Sequence, residues 1–233
     1  MNIDRNLTAR QGAVKAIIGI LVLVVALIAG IALKGSLNQE TQTSLLAKGY
    51  ESFSAGKYDD AYKSFEEALK TFTFTLKVYR IFKGSENHMT RQELNELIVS
   101  TCLAAAHESF FELKPAKDWT EKAQKAVNDL PAGDRKSELE QLTKTASEIS
   151  ELCEDFAAGQ FEKAFKQLKK VEQNALPSDQ DFFIFEIRFL IALGKALKEP
   201  AILGRARELL FFATTDAGIN NDKTQKLWGI LTH

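Results

Sequence analysis

A chain of 233 residues with 45% hydrophobic residues has room for one domain with a sizeable core or for an elongated repeat array. A net charge of −1 gives no electrostatic case for a nucleic-acid partner. Only four prolines and 13 glycines argue against a loop-rich β fold, and abundant Ala, Leu, Lys, Glu and Gln favour helix.

Near the N-terminus, Ala16–Leu33 (AIIGILVLVVALIAGIAL) is an uninterrupted apolar run without a charge. At the helical rise it spans about 27 Å, close to the thickness of a bilayer's hydrocarbon core. Arg5, Arg10 and Lys15 precede it and only Lys34 follows closely. The positive-inside rule therefore puts residues 1–15 in the cytoplasm and the large domain on the extracytoplasmic side of the membrane. The rival reading is a cleaved signal peptide. Its apolar region is shorter, about 7–15 residues, and Ala29-Gly-Ile-Ala32 is a poor cleavage site, so a retained anchor is favoured. Ala26 and Gly30 form a small-x-x-x-small pair that allows contact with a second membrane helix, and hence a homo-oligomer.

Residues 34–43 read as a short polar linker, which keeps the following domain, 44–233, close to the membrane surface. Gly49–Lys70 (GYESFSAGKYDDAYKSFEEALK) reads as two helices joined by a tight corner. Gly56 tolerates positive φ there, and Asp59 suits the N-terminus of the second helix. Ala61, Phe65, Ala68 and Leu69 make one apolar stripe along that helix. Thr71–Tyr79 is ambiguous: Phe72, Phe74, Leu76 and Val78 alternate as in a strand, while Phe65, Leu69, Phe72, Leu76 and Tyr79 continue the helical stripe. A lone strand would lack a partner in an otherwise helical chain, which favours an elongated second helix.

Gly84–His88 reads as a loop. Thr90 and Glu93 then form a capping box that starts a helix running to about Leu113 and broken by Pro115. A second helix follows from about Asp118 to Leu130, and Asp134–Ala157 is helical. Glu154–Gln173 (EDFAAGQFEKAFKQLKKVEQ) aligns without gaps on Glu51–Lys70. Phe156 matches Phe53, Gly159 matches Gly56, Phe161 matches Tyr58, Ala164 matches Ala61 and Leu168 matches Phe65. After Pro177, Asp181–Leu197 is strongly apolar, and Leu193, Gly194, Ala206, Leu210 and Ala213 repeat the pattern. Asp222–Leu231, with Trp228, reads as a terminal capping helix.

Gly49, Gly56, Tyr58, Ala61, Phe65 and Ala68 fall where the tetratricopeptide repeat (TPR) places glycine, glycine, an aromatic, alanine, an aromatic and alanine, and the chain resembles that family from about residue 42 to 217. It departs in Phe53, one place later than the usual tyrosine, and in a second unit with His107 in the glycine place and Trp119 in an alanine place. The resemblance implies an all-α protein: an N-terminal transmembrane helix, then a TPR-like right-handed α-solenoid of about four helical hairpins with a C-terminal capping helix. By architecture it is similar to single-pass bacterial inner-membrane TPR proteins that assist assembly, translocation or secretion. It further implies a concave groove lined by the first helix of each pair: Leu46, Tyr50 and Phe53; Ile149, Cys153 and Phe156; and Arg188, Ile191, Lys195 and Lys198. For the apolar members packing between repeats is the competing reading, and for Lys195 and Lys198 a solvated face. The lysine–asparagine clamp with which some relatives hold a peptide carboxylate is absent, since Leu46 and Tyr50 stand in its place.

No catalytic or cofactor motif is found. His88, His107 and His233 lack partners at metal-ligand spacing, so no metal or other cofactor is expected. Cys102 and Cys153 read as small buried hydrophobes, with a disulfide open in an oxidising compartment. Phe182, Phe185 and Phe189 share one helix face and read as core, whereas Phe183 points elsewhere. Together with Phe211 and Phe212 they would otherwise form an exposed patch. The expected function is a non-enzymatic, membrane-tethered scaffold or adaptor. It would bind a protein partner in or at the membrane and the bilayer through residues 16–33. The alternative is an integral structural subunit of a larger membrane complex.

Overall fold

The computed structural model describes residues 3–84, 88–176 and 179–232, with side chains from residue 22 onward. Expectations resting on the side chains of Arg5, Arg10, Lys15 and residues 16–21, on residues 85–87 and on Pro177 lie outside the described residues. The described residues form ten helices and no strand: α1 (Ile3–Ser54), α2 (Tyr58–Lys70), α3 (Phe74–Lys83), α4 (Arg91–Phe111), α5 (Lys117–Asn128), α6 (Asp134–Ala157), α7 (Phe161–Asn174), α8 (Gln180–Leu197), α9 (Pro200–Thr215) and α10 (Asp222–Thr232).

Helix α1 is long and apolar enough to cross a membrane. Its apolar window is almost wholly uncovered, with Leu23 71%, Leu27 65% and Leu33 67% exposed, unlike the core helix of a globular domain. The expected linker at 34–43 does not interrupt it, because the polarity of that stretch serves a helix–helix contact. Asn38 Nδ2 donates to Thr73 Oγ1 (2.8 Å) and Gln42 Nε2 to Thr71 Oγ1 (2.9 Å), while Arg80 Nε donates to Gln39 Oε1 (2.9 Å).

Residues 74–79 are helical rather than extended, but the expected elongation of α2 does not occur, because residues 71–73 break the helix between α2 and α3. Thr71 turns its hydroxyl onto the Ala68 carbonyl (2.6 Å), and Thr73 caps a new helix by accepting from Leu76 N (3.3 Å). Threonine hydroxyls that bond the backbone locally end one helix and start the next. The capping box at α4 forms as expected: Glu93 N donates to Thr90 Oγ1 (3.1 Å) and Thr90 N to Glu93 Oε2 (2.6 Å).

Four hairpins, α1–α2, α4–α5, α6–α7 and α8–α9, turn on one kind of corner, a Schellman-type arrangement around a left-handed residue. At the first, Gly56 N donates to Phe53 O (3.0 Å) and Lys57 N to Ser52 O (2.9 Å). At the third, Gly159 N donates to Phe156 O (3.0 Å) and Gln160 N to Asp155 O (2.9 Å). The aromatic pairs repeat as well: Phe53 meets Tyr58 edge-on with centroids 5.6 Å apart, and Phe156 meets Phe161 at 5.3 Å. The second corner has Leu113 N donating to Phe110 O and Lys114 N to Ser109 O, and the fourth has Glu199 N donating to Gly194 O (3.0 Å). Their left-handed residues are not glycine but Leu113 (φ 57°) and Lys198 (φ 55°).

That geometry corrects the register of the second hairpin. The corner residue is Leu113, which moves Ala106 rather than His107 into the small place on α4. The longer connection through Pro115 then puts Thr120 rather than Trp119 into the small place on α5, with both Ala106 and Thr120 buried. Trp119 packs edge-on against Tyr62 of the preceding hairpin at 5.9 Å. In the fourth hairpin Gly194 lies nearer its corner than Gly49 does to Gly56, and a Cβ there would meet Leu203 Cγ at 2.8 Å.

A residue with a Cβ costs about 1–2 kcal/mol in the left-handed region. Gly159→Ala is therefore expected to lose about that much stability. Lys198→Gly relieves the same strain at an exposed site and is expected to gain up to about 1 kcal/mol, less the extra unfolded-state entropy of glycine. Thermal unfolding of the full-length protein in detergent reads both.

Successive hairpins pack in sequence, α2 against α4, α5 against α6, and α7 against α8. In addition α4 packs directly on α8, and α10 lies against α8 and α9. The core follows these contacts: Phe65, Phe110, Leu152, Leu168 and Phe189 are among the largest fully buried side chains.

Candidate functional site

The expected groove residues, Lys198 apart, lie on the first helix of the first, third and fourth hairpins, and the structure divides them. In the first unit Leu46 and Phe53 are half-buried, and Tyr50 is 45% exposed with its ring edge-on to Phe65 at 5.5 Å. This trio leaves a surface. In the third unit Ile149 and Cys153 are buried, and Phe156 is half-buried against Phe161 and Phe189, both at 5.3 Å.

In the fourth unit Ile191 is fully buried. Arg188 is half-buried and donates from Nε to Phe111 O (3.2 Å), satisfying a carbonyl near the end of α4. Lys195 Nζ donates to Ile230 O (2.6 Å) and ties α10 down. Lys198 is the exposed corner residue rather than a member of the inner face.

The cause is non-local. Aromatic side chains of α4, α6 and α8 meet one another, Phe110 with Phe185 at 6.0 Å and Phe156 with Phe189 at 5.3 Å, so these helices close on themselves instead of lining a continuous channel. Polar contacts fasten the same seam. His107 Nδ1 and Asp181 Oδ2 are 3.2 Å apart, and this hydrogen bond and the charge of His107 hold the Asp181 carboxyl below its ordinary range. Lys223 of α10 pairs with Glu108 at 2.8 Å.

A second surface lies on the last two hairpins. A cavity of about 450 Å³ opens between α7, α8 and α9, floored by Phe182, Phe183, Phe212 and Ile219 and rimmed by Glu172 and Asp179. Phe183 and Phe212 meet at right angles, 6.2 Å apart. Phe212 is 49% exposed and the neighbouring Phe211 59%. The phenylalanine cluster thus divides: Phe182, Phe185 and Phe189 are buried, Phe183 and Phe212 line a cleft together with one side of Phe182, and Phe211 is exposed beside it. Helical spacing separates Phe183 from the buried three, but only the end of α9 and the loop to Ile219 show that the space beside it is open.

Behind the rim, Arg205 Nη2 donates to Glu172 Oε1 (2.9 Å) and to Glu186 Oε1 (2.8 Å), linking α7, α8 and α9. Burial pushes the Glu186 carboxyl up to about 7, and the nearby charge of Glu172 adds to the effect against the pull of Arg205. Cys102 and Cys153 are free and buried, and burial pushes each thiol up to about 12, which suits packing rather than nucleophilic chemistry. No group of three His, Cys, Asp or Glu side chains that could hold a metal ion occurs among the described residues.

What the described residues define is an all-helical protein of repeated hairpins on an N-terminal helix able to cross a membrane. No family model, curated protein or solved structure matches the chain.

Proposed function

We propose that this chain is a membrane-tethered, TPR-like scaffold that binds another protein in or at the membrane and carries out no catalysis. Helix α1 anchors it with residues 1–15 in the cytoplasm and the hairpins on the extracytoplasmic side. The hairpins form a short right-handed solenoid, with α10 covering the last of them. The observation that carries this reading is the left-handed corner repeated at Gly56, Leu113, Gly159 and Lys198, with the same pair of backbone bonds at the first three and the outer bond of that pair at the fourth. Hairpins stacked through one repeated joint are quasi-one-dimensional, and their shared use is the display of an extended binding surface.

The surface best suited to a partner is the cleft at Phe183 and Phe212. Its floor is aromatic and apolar and its rim acidic, which suits an apolar segment with a basic flank. The Leu46–Tyr50–Phe53 face is the second contact region.

Site-specific photo-cross-linking in intact membranes tests this, with the cross-linker at Phe212, at Tyr50 and, as a control, at Lys125. A discrete protein adduct from position 212 is expected, lost when Phe183→Asp is introduced beside it, with none from 125. No adduct at either 212 or 50 overturns the scaffold reading. Adducts from positions in Val22–Leu33 alone would instead mark a structural subunit held through its membrane helix.

A further inference from the structure

Helix α3 is set on the membrane-proximal end of α1 with a face that none of the described residues covers. Its contacts fix its direction. Gln42 of α1 bonds Thr71, Asn38 bonds Thr73, and a Cβ on Gly35 would lie 2.7 Å from Thr75 O and against Tyr79. Each step back along α1 toward the apolar run is therefore a step forward along α3. The two helices run antiparallel, and their equal rise carries the last turn of α3 alongside residues 31–34. Burial agrees. Ile31, one turn before the buried Gly35, is half-covered, whereas residues 22–30 of α1 are all exposed.

The two faces of α3 differ. Leu76 is buried, and Tyr79 and Arg80 lean on α1, where Arg80 donates to Gln39 and to Gln42. On the outer face of the last turn Ile81 is 70% and Phe82 77% exposed. Lys83 beside them and Lys34 on α1 are exposed too. Two large apolar side chains flanked by lysines, at the level where an apolar span ends, are the composition of an interfacial helix. The apolar groups enter the headgroup–acyl boundary and the ammonium groups meet lipid phosphates.

We propose that the lipid bilayer is the occupant of this face: α3 is a second, interfacial membrane contact, with Ile81 and Phe82 dipping into the leaflet from which α1 emerges. Continuity with the exposed apolar surface of α1 selects the bilayer over a protein partner, since any lipid around Leu33 also reaches the end of α3. Helix α1 continues from the span into the first hairpin without a break, and α3 braces that helix against the membrane surface. The hairpins are thereby held at a set tilt instead of swinging on a linker. This inference rests on the reading of α1 as membrane-spanning.

The test uses full-length protein in vesicles of phosphatidylcholine and phosphatidylglycerol. Val25→Cys, Phe82→Cys and Lys125→Cys are made separately and labelled with an environment-sensitive fluorophore, Cys102 and Cys153 being buried. Lipids carrying spin labels at shallow or deep acyl positions serve as quenchers. The expected result is loss of emission at 25 with deep labels, a blue shift and loss of emission at 82 with shallow labels, and neither change at 125. Quenching at 25 with position 82 behaving like 125 overturns the role of α3 and leaves the span intact. No quenching at 25 overturns the span, and this inference with it.

Discussion

Gly49→Ala is expected to destabilise the protein by about 1–3 kcal/mol and Phe65→Ala by about 3–5 kcal/mol, with the double variant losing distinctly less than the sum. An ideal Cβ on Gly49 would fall inside the contact shell of the Phe65 ring, 2.6 Å from Cδ1 and 2.8 Å from Cζ. Phe65 is fully buried, so the ring has nowhere to retreat. The strain of added bulk therefore exceeds the gain of up to about 1 kcal/mol that alanine brings over glycine in a helix. Truncating Phe65 opens a cavity at the same place, and the new methyl group fills part of it. Gly204→Ala is the control. Nothing lies within 4 Å of a Cβ there, in the interior of α9, and the same substitution is expected to stabilise by about 1 kcal/mol at most. Urea unfolding of the full-length protein in detergent measures all four variants. An additive cycle would mean that α1 and α2 separate to admit the methyl group, and that their close approach is not what glycine secures.

That pair also marks how far the fold was legible in the sequence. Gly49, Gly56 and Gly159 announce close approach and left-handed corners because glycine is the residue that bears both easily, and the match between residues 51–70 and 154–173 is reproduced in the backbone bonds of the two corners. Leu113 and Lys198 hold the same conformation without the announcing residue. Glycine as the only signal therefore sets the second hairpin out of register and misses the shift in the fourth. The polar run at 34–43 reads as a linker because polarity alone does not distinguish water from a facing helix. Only the positions of Thr71, Thr73 and Arg80 make it a helix surface. The groove was the least legible part. Whether Ile149, Phe156, Arg188 and Ile191 line a channel or close it depends on how far the hairpins curl between α4 and α8, which no local pattern specifies. The cleft at Phe183 and Phe212 depends likewise on where the loop after α9 leaves room.

The wall behind that cleft is expected to make stability depend on pH. Glu186 is buried in α8, and its carboxyl is pushed up to about 7 in the fold against an ordinary value of 4.5. Between those values the folded chain binds more protons than the unfolded chain. Stability therefore falls as pH rises from about 4.5 to 7, and the decrement persists above. At 1.36 kcal/mol per unit the loss is at most about 3 kcal/mol, the exposed edge of Arg205 reducing it. Glu186→Gln keeps an acceptor for Arg205 and removes the charge, so it is expected to stabilise the protein at pH 8 and to change little at pH 4.5. Glu172→Gln discriminates the causes. Removing its charge leaves burial as the force acting against Arg205, so the wild-type slope should move to lower pH without vanishing. Urea midpoints from pH 4.5 to 8, taken as the difference between wild type and Glu186→Gln, read the effect directly. A flat difference would mean that Arg205 keeps Glu186 ionised throughout, and that α7, α8 and α9 are joined by a permanent ion pair.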